Sequence, residues 1–160
     1  MHNAGRRISI RRVTLRDLDV LVHHRRSMWE DMGFSDIAAL QEHDSAYRRW
    51  ARERLRSGKL LGWVAETNGG VVGSACLWLQ PQQPRPVSGV IGKPLPYLLS
   101  MYTEPSFRRR KIGAQILSRA IKWAKRNGYS RINLHASKKG RSLYLRYGFE
   151  RTWEMGLRLR

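Results

Sequence analysis

Cysteine is nearly missing from this chain: Cys76 stands alone among 160 residues. An internal disulfide is thereby excluded, which fits a reducing compartment. Cys76 lies in the apolar run ACLWL, the setting of a buried structural thiol rather than a nucleophile. Long hydrophobic runs are missing too. No stretch reaches the about twenty apolar residues that a helical membrane crossing needs. The opening MHNAGRRISIRR has no apolar segment of the signal-peptide kind. We therefore expect a soluble, cytoplasmic protein with no membrane partner. Acids are scarce, with 12 Asp and Glu against 31 Lys and Arg, a net charge of +19. Between Thr67 and Phe149 the only acid is Glu104, against fifteen Lys and Arg. His23, His24 and His43 show no ligand spacing, and no metal is expected. Repeats and a domain boundary are absent as well.

What is present suffices for one core. A hydrophobic content of 41%, with six Trp and six Tyr, excludes a disordered basic tail. The length suits one domain over residues 1–160. Ile8 to Arg12 alternates as a first strand. Thr14 and Asp17 form a capping-box-like start to a helix carrying Leu18, Leu21, Val22 and Met28. A second helix is predicted over about 44–56, with Tyr47, Trp50, Ala51 and Leu55 on one face. Leu60–Glu66 and Val71–Leu79 flank Asn68-Gly69-Gly70 and read as a hairpin. Five of the six prolines fall in 80–96, with Gly89 and Gly92, which predicts a loop. A strand from Tyr97 to Thr103, a long helix, a strand at 130–135, a short helix over 142–147 and a final strand or hairpin at 149–159 complete the order. Strands and helices in this mixed order imply an α+β fold on a central, mostly antiparallel sheet.

The segment over 97–126 carries the most chemistry. After the strand YLLSMYT, Pro105 interrupts pairing, and Arg108, Arg109, Arg110 and Lys111 lead into a helix with Ile112, Gly113, Ile116, Leu117, Ala120, Ile121 and Ala124 along one face. Basic residues are the wrong charge for a helix N-terminus. Four in succession there suit an anion held by free backbone amides, the macrodipole and the side chains together. A solvated basic cap is the plain alternative. The sequence thus points to a polyphosphate ligand.

The next informative segment is INLHASKKGRSLYLRYGF, over 132–149. With the basic turn before it, this order and spacing resemble the GCN5-related N-acetyltransferase (GNAT) family of bacterial, single-domain type, which moves acetyl groups from acetyl-CoA to amines. The family's R/Q-x-x-G-x-G/A phosphate motif is matched by Arg108-Arg109-Arg110-Lys111-Ile112-Gly113, and its Leu-Tyr and Gly-Phe pairs by Leu143-Tyr144 and Gly148-Phe149. The resemblance extends over essentially the whole chain. It implies a central mixed sheet of about six to seven strands flanked by about four helices, and acetyl-CoA as donor without a metal. The donor would be held by Met101, Tyr102 and Thr103 on the strand, by Arg108, Arg109, Arg110 and Lys111 in the turn, by Ile112, Gly113 and Ala114 at the helix start, and by Ser137. Lys111 stands where the family has its first glycine. A lysine fits there if the residue is already helical, and then adds charge to the pyrophosphate. The family's Asn-x-x-Ala is replaced by Ser137-Lys138-Lys139-Gly140.

By the same resemblance Tyr144 donates the proton that the departing thiolate needs, a task for which a phenol is chemically suited; its alternative is a packing role. The family also bulges its central strand, which would place an oxyanion-binding amide near Met101 or Tyr102. Glu104, at the strand end, is the candidate base for the amine, or else pairs with an arginine of the next turn. Glu66 and His135 are lesser candidates. Asp31, Asp36, Glu42 and Asp44, on the first two helices, could welcome a cationic amine. The acceptor is a primary amine of a small molecule, peptide or protein, and the assembly a monomer or homodimer. Two rival readings remain on the same fold: a CoA-binding protein without catalysis, and a nucleic-acid-associated protein, suggested by the pI near 11.4 and by Tyr47-Arg48-Arg49-Trp50. Nucleic acid is a secondary partner in our reading, since no zinc spacing, helix-turn-helix signature or RNA-binding aromatic motif accompanies the charge.

Overall fold

The computed structural model describes residues 7–84 and 92–159. The chain runs β1 (Ser9–Arg12), α1 (Leu18–Asp31), α2 (Ile37–Arg56), β2 (Leu60–Thr67), β3 (Gly70–Gln80), β4 (Leu95–Thr103), α3 (Ile112–Arg126), β5 (Asn133–Leu134) and α4 (Arg141–Arg146). Among the described residues the sheet has five strands in the order β1-β2-β3-β4-β5, antiparallel except for the parallel β4–β5 pair. This is the expected α+β architecture, with fewer strands than the six to seven that the resemblance implied. The segment after Phe149 alternates apolar and polar residues but pairs with no strand among the described residues. Alternation makes a segment able to pair; only a neighbour that satisfies its N–H and C=O groups makes it a strand.

Adjacent residues on a strand point to opposite faces, and this divides the core in two. Leu61, Ala75, Leu77 and Leu98 pack with Ile112, Ile116, Leu117 and Ala120 of α3. Leu60 and Cys76 pack on the other face with Leu18, Leu21 and Val22 of α1 and with Tyr47 and Ala51 of α2. Cys76 is fully buried, and burial pushes its thiol up to about 12, so it stays protonated as a packing group.

The capping box forms as the sequence predicts. The Thr14 amide donates to Asp17 Oδ2 at 2.7 Å and the Arg16 amide to Thr14 Oγ1 at 3.3 Å, opening a 3-10 turn over Leu15–Asp17 that runs into α1. α2 begins at Ile37, seven residues before the expected 44, because Asp36 caps it by accepting from the Ala39 amide at 3.1 Å. The predicted loop over 80–96 is narrowed by Gln80, which ends β3, and by Leu95 and Pro96, which start β4; residues 85–91 lie outside the described residues. β5 is two residues long, where a strand over 130–135 was expected.

Candidate functional site

β4 and β5 pair only at Tyr97–Asn133 and Leu98–Leu134, and then part. β4 continues through Leu99–Thr103, with β5 no longer beside it. Its other edge is irregular as well. Leu99 pairs with Cys76 and Tyr102 with Ser74, so Ser100 and Met101 together face Ala75. One extra residue in β4 makes a β-bulge, and Ser100 takes φ +56° to form it. The parted strands open a cleft of about 1580 Å³, with residues 97–103 on one side and 135–140 on the other.

The basic turn closes one end of this cleft. Lys111 precedes α3 at φ +60°, ψ +20°, and Arg109 has φ +63°. Both are left-handed, a region that costs a side-chain-bearing residue about 1–2 kcal/mol. The condition under which a lysine would fit without strain, an already helical residue, is not met: Lys111 keeps the backbone shape for which glycine is suited. The amides of Ile112, Gly113 and Ala114 have no carbonyl one turn back to donate to. Gly113 faces the cleft with Met101 Sδ 3.8 Å from where a Cβ would lie.

The four cations divide. Arg108 is committed: its Nε donates to the Thr103 carbonyl at 2.9 Å, its Nη2 to Asp31 Oδ2 at 2.5 Å, and its guanidinium lies over Tyr102, 5.4 Å from the ring centre. Arg110 lies over Phe107 and is not among the cleft-lining residues. Arg109 and Lys111 line the cleft and take part in none of the described side-chain hydrogen bonds or ion pairs. All the other expected donor-binding residues, Met101, Tyr102, Thr103, Ile112, Gly113, Ala114 and Ser137, line it too. Ser137 Oγ accepts the Gly140 amide at 3.1 Å and so shapes the turn before α4, and the Tyr147 hydroxyl ties α4 to the Ala114 carbonyl at 3.1 Å.

Tyr144 reaches the same cleft from α4, largely buried, edge-on to Phe149 with ring centres 5.7 Å apart. Gly140 lets it sit there, since a Cβ at that position would lie 3.2 Å from the Tyr144 ring. Burial raises the Tyr144 hydroxyl above its usual pKa and keeps its proton on. Glu104 is not brought to the cleft. Its carboxylate sits 3.1 Å from His23 Nε2 and 3.3 Å from His24 Nε2, so α1 histidines hold it and not an arginine of the next turn. His24 is fully buried, with Nδ1 2.8 Å from Ser74 Oγ, and burial lowers it from 6.5 to about 4 in spite of the opposing pull of Glu104. Its Nε2 is close to Glu104 but off hydrogen-bonding alignment, which leaves that nitrogen without a hydrogen-bond partner among the described residues. Glu66 is taken by Arg11 at 2.8 Å, away from the cleft. His135 does line the cleft, hydrogen-bonded to the Tyr97 hydroxyl.

Three of the four acids expected to attract a cationic amine are occupied as well: Asp31 by Arg108, Asp44 by Arg26, and Asp36 by its capping bond. The α1 and α2 side of the cleft presents Met28, Trp29, Tyr47 and Trp50, with Arg25, Asp31 and His43 among them. Sequence reasoning missed the Tyr97–His135 pair, the Asp31–Arg108 tie and Ser100. The first two join residues 38 and 77 positions apart and leave no local trace. The resemblance had implied a bulge in this strand near Met101 or Tyr102; that Ser100 is the residue in left-handed backbone was not readable from it.

A profile of the acetyltransferase (GNAT) family matches residues 18–149. Among solved structures, a GCN5-related N-acetyltransferase from Ralstonia eutropha JMP134 matches with a TM-score of 0.87 and 30% identity, over 96% of this chain and 99% of that one. A predicted acetyltransferase with acetyl-CoA from Clostridium acetobutylicum matches with a TM-score of 0.84 and 29% identity, over 96% of each chain. The fold alone is shared with glucosamine-6-phosphate N-acetyltransferase from Arabidopsis thaliana, at a TM-score of 0.65 and 14% identity over 96% of this chain and 98% of that one. No curated protein matches the sequence significantly. With parted strands, a bulged β4 and a basic turn before α3 under one family profile, the chain belongs to the GNAT acetyltransferases.

Proposed function

We propose that the protein is an acetyl-CoA-dependent N-acetyltransferase acting on a primary amine by direct attack, with donor and acceptor bound together. The observation that carries this reading is the convergence on one cleft of the unpaired β4 edge, the free amides of the α3 start and the buried Tyr144 hydroxyl. The cleft fits the donor in size and in chemistry. Arg109 and Lys111, with the amides of Ile112 to Ala114, suit a pyrophosphate. The edge of Leu99–Thr103 suits an amide-bearing arm that pairs with it as an added strand does. Acetyl-CoA supplies the acetyl thioester.

Tyr144 holds the proton that the sulfur needs on leaving. Amides at the Ser100–Met101 bulge offer donors for the carbonyl oxygen. Acceptance of the amine's proton falls to His135, which lines the cleft, rather than to Glu104, which does not. The aromatic wall from α1 and α2 favours an acceptor with an apolar body beside its amine, and the open side admits a small molecule or a peptide.

The test is calorimetric titration of acetyl-CoA at moderate and high salt, beside dephospho-CoA and a short RNA, followed by thiol release on a panel of amines. Saturable micromolar binding that survives salt, with turnover on a subset of amines, is expected. Donor binding without turnover would leave a CoA-binding protein, and salt-sensitive RNA binding alone would overturn the assignment.

A further inference from the structure

One cation of the cleft stands apart from the basic turn. Arg25 lines the cleft from α1 and takes part in none of the described side-chain hydrogen bonds or ion pairs. Its guanidinium lies 4.8 Å from the ring centre of Tyr47 on α2 and 6.0 Å from that of Trp29, one turn along α1. Rings on the faces of a guanidinium hold it in place without using its N–H donors, which lie in its own plane. Arg54 shows the ordinary form of such a contact. It lies over Trp50, reaches Glu53 at 3.9 Å and the Trp50 carbonyl at 3.4 Å, and is outside the cleft. Arg25 has the ring contacts without those partners.

Its place in the cleft is as telling. Tyr47 packs with Cys76 and Leu99, the pair at which the β4 bulge begins, so Arg25 stands on the helix side of that bulge. The basic turn is farther on. Arg108 binds Asp31, six residues after Arg25, or about 9 Å along α1. Arg25 is thus separate from the groups suited to the donor's pyrophosphate. Asp31 is the only carboxylate among the described cleft-lining residues, and Arg108 takes it.

We propose that Arg25 determines acceptor specificity: the acceptor is an amine of amino-acid type, its carboxylate paired with Arg25 and its apolar side chain against Met28, Trp29 and Trp50. This rests on the acetyltransferase reading and adds the class of acceptor. The planar fork of a guanidinium matches a carboxylate through two parallel N–H···O bonds. A half-buried position against two rings strengthens such a pair relative to open water. The charge balance points the same way. A polycationic acceptor would meet Arg25 with no unpaired carboxylate beside it among the described lining residues.

The test compares L-phenylalanine with L-phenylalaninamide, which lacks the carboxylate, and with glycine and phosphoethanolamine. Each is titrated into the protein with excess CoA, and assayed for thiol release with acetyl-CoA, for the parent, Arg25→Gln and Arg25→Lys. Arg25 is partly exposed, so both variants should fold, which thermal melting checks. The expected result is a preference of about ten-fold or more for phenylalanine over its amide, in affinity and in kcat/KM. Arg25→Gln should abolish that preference, Arg25→Lys should restore part of it, and glycine should bind more weakly. An equal preference in the parent and Arg25→Gln overturns the proposal, since the field of the +19 chain would then be its cause. Phosphoethanolamine taken in preference to phenylalanine overturns it, as does the failure of every one of these amines to bind. Arg25-dependent binding of phenylalanine without turnover supports the carboxylate site, and it is then the acetyltransferase reading that fails.

Discussion

The corner where β1 meets α1 and the turn where β4 meets α3 are both rich in arginine, and they handle charge in opposite ways. At the first, Arg11 sits 2.8 Å from Asp17 and 2.8 Å from Glu66, and Asp17 also accepts the Thr14 amide. The charges cancel across β1, β2 and the helix start, and they hold those elements together. At the second, Arg109 and Lys111 meet no carboxylate among the described ion pairs, and both stand in left-handed backbone at the end of α3 that repels cations. Cancelled charge in relaxed backbone marks scaffold. Uncancelled charge in strained backbone is where, on the proposed function, the donor's phosphates would complete the structure. Arg108 shows that one turn contains both kinds, since Asp31 and the Thr103 carbonyl secure it as part of the scaffold.

The sharpest way to use this contrast is to separate chemistry from binding within the cleft. Tyr144→Phe keeps the ring that packs on Phe149 and removes the hydroxyl alone. We expect kcat to fall about 100- to 1,000-fold, or ~3–4 kcal/mol, with acetyl-CoA affinity unchanged. An equal loss in affinity would assign Tyr144 to packing.

Next in size is an effect of pH on the scaffold. His24 is held neutral by burial, at about 4 against 6.5. The unfolded chain therefore takes up this proton first, so the stabilisation is complete above pH 6.5 and falls by roughly 3 kcal/mol as the pH drops to about 4. Urea midpoints from pH 7 to 4.5 should record the slope, and His24→Gln should flatten it. An unchanged slope would show that another group is responsible.

The two arginine regions can then be exchanged against each other in experiment. Arg11→Gln leaves the buried Asp17 carboxylate short of donors, and should cost about 1–2 kcal/mol of stability with acetyl-CoA binding untouched. Lys111→Gly should do the reverse. It gains about 1 kcal/mol, or ~2–4 °C in Tm, by removing the left-handed strain, and weakens acetyl-CoA binding several-fold in a salt-dependent manner. If Lys111→Gly left the affinity unchanged, strain rather than charge would be the family-level reason for the turn. The smallest effect is expected at Glu104→Gln, with kcat within about two-fold of the parent, whereas His135→Ala should lower it more. The opposite ranking would return the base role to Glu104.

Much of this was written in the local sequence. The Thr14–Asp17 box, the Asn68-Gly69-Gly70 hairpin and the α3 apolar face are short-range patterns, and each formed as read. So did the convergence of the basic turn with Tyr144, because the family's motif spacing carries it. Elsewhere local pattern was a weaker guide. The alternation after Phe149 promised a strand, yet it pairs with none among the described residues. Lys111 in place of glycine would have fitted a helical backbone, but the demand of the turn outweighs the preference of the side chain. Glu104, the one acid in a long basic stretch, read equally as a base or as the partner of a nearby arginine, and α1 instead brings two histidines to it.

The sequence by itself therefore determined the class of the fold, the place of the basic turn and that of Tyr144 after it, since these rest on periodicity and on motif residues close together in the chain. Only the tertiary structure decided which cations lack a partner among the described residues, that histidines hold Glu104, and that both His43 and His135 line the cleft. Those outcomes depend on residues tens of positions apart meeting across helix and sheet, and a charge acquires its role from the neighbour that does or does not cancel it.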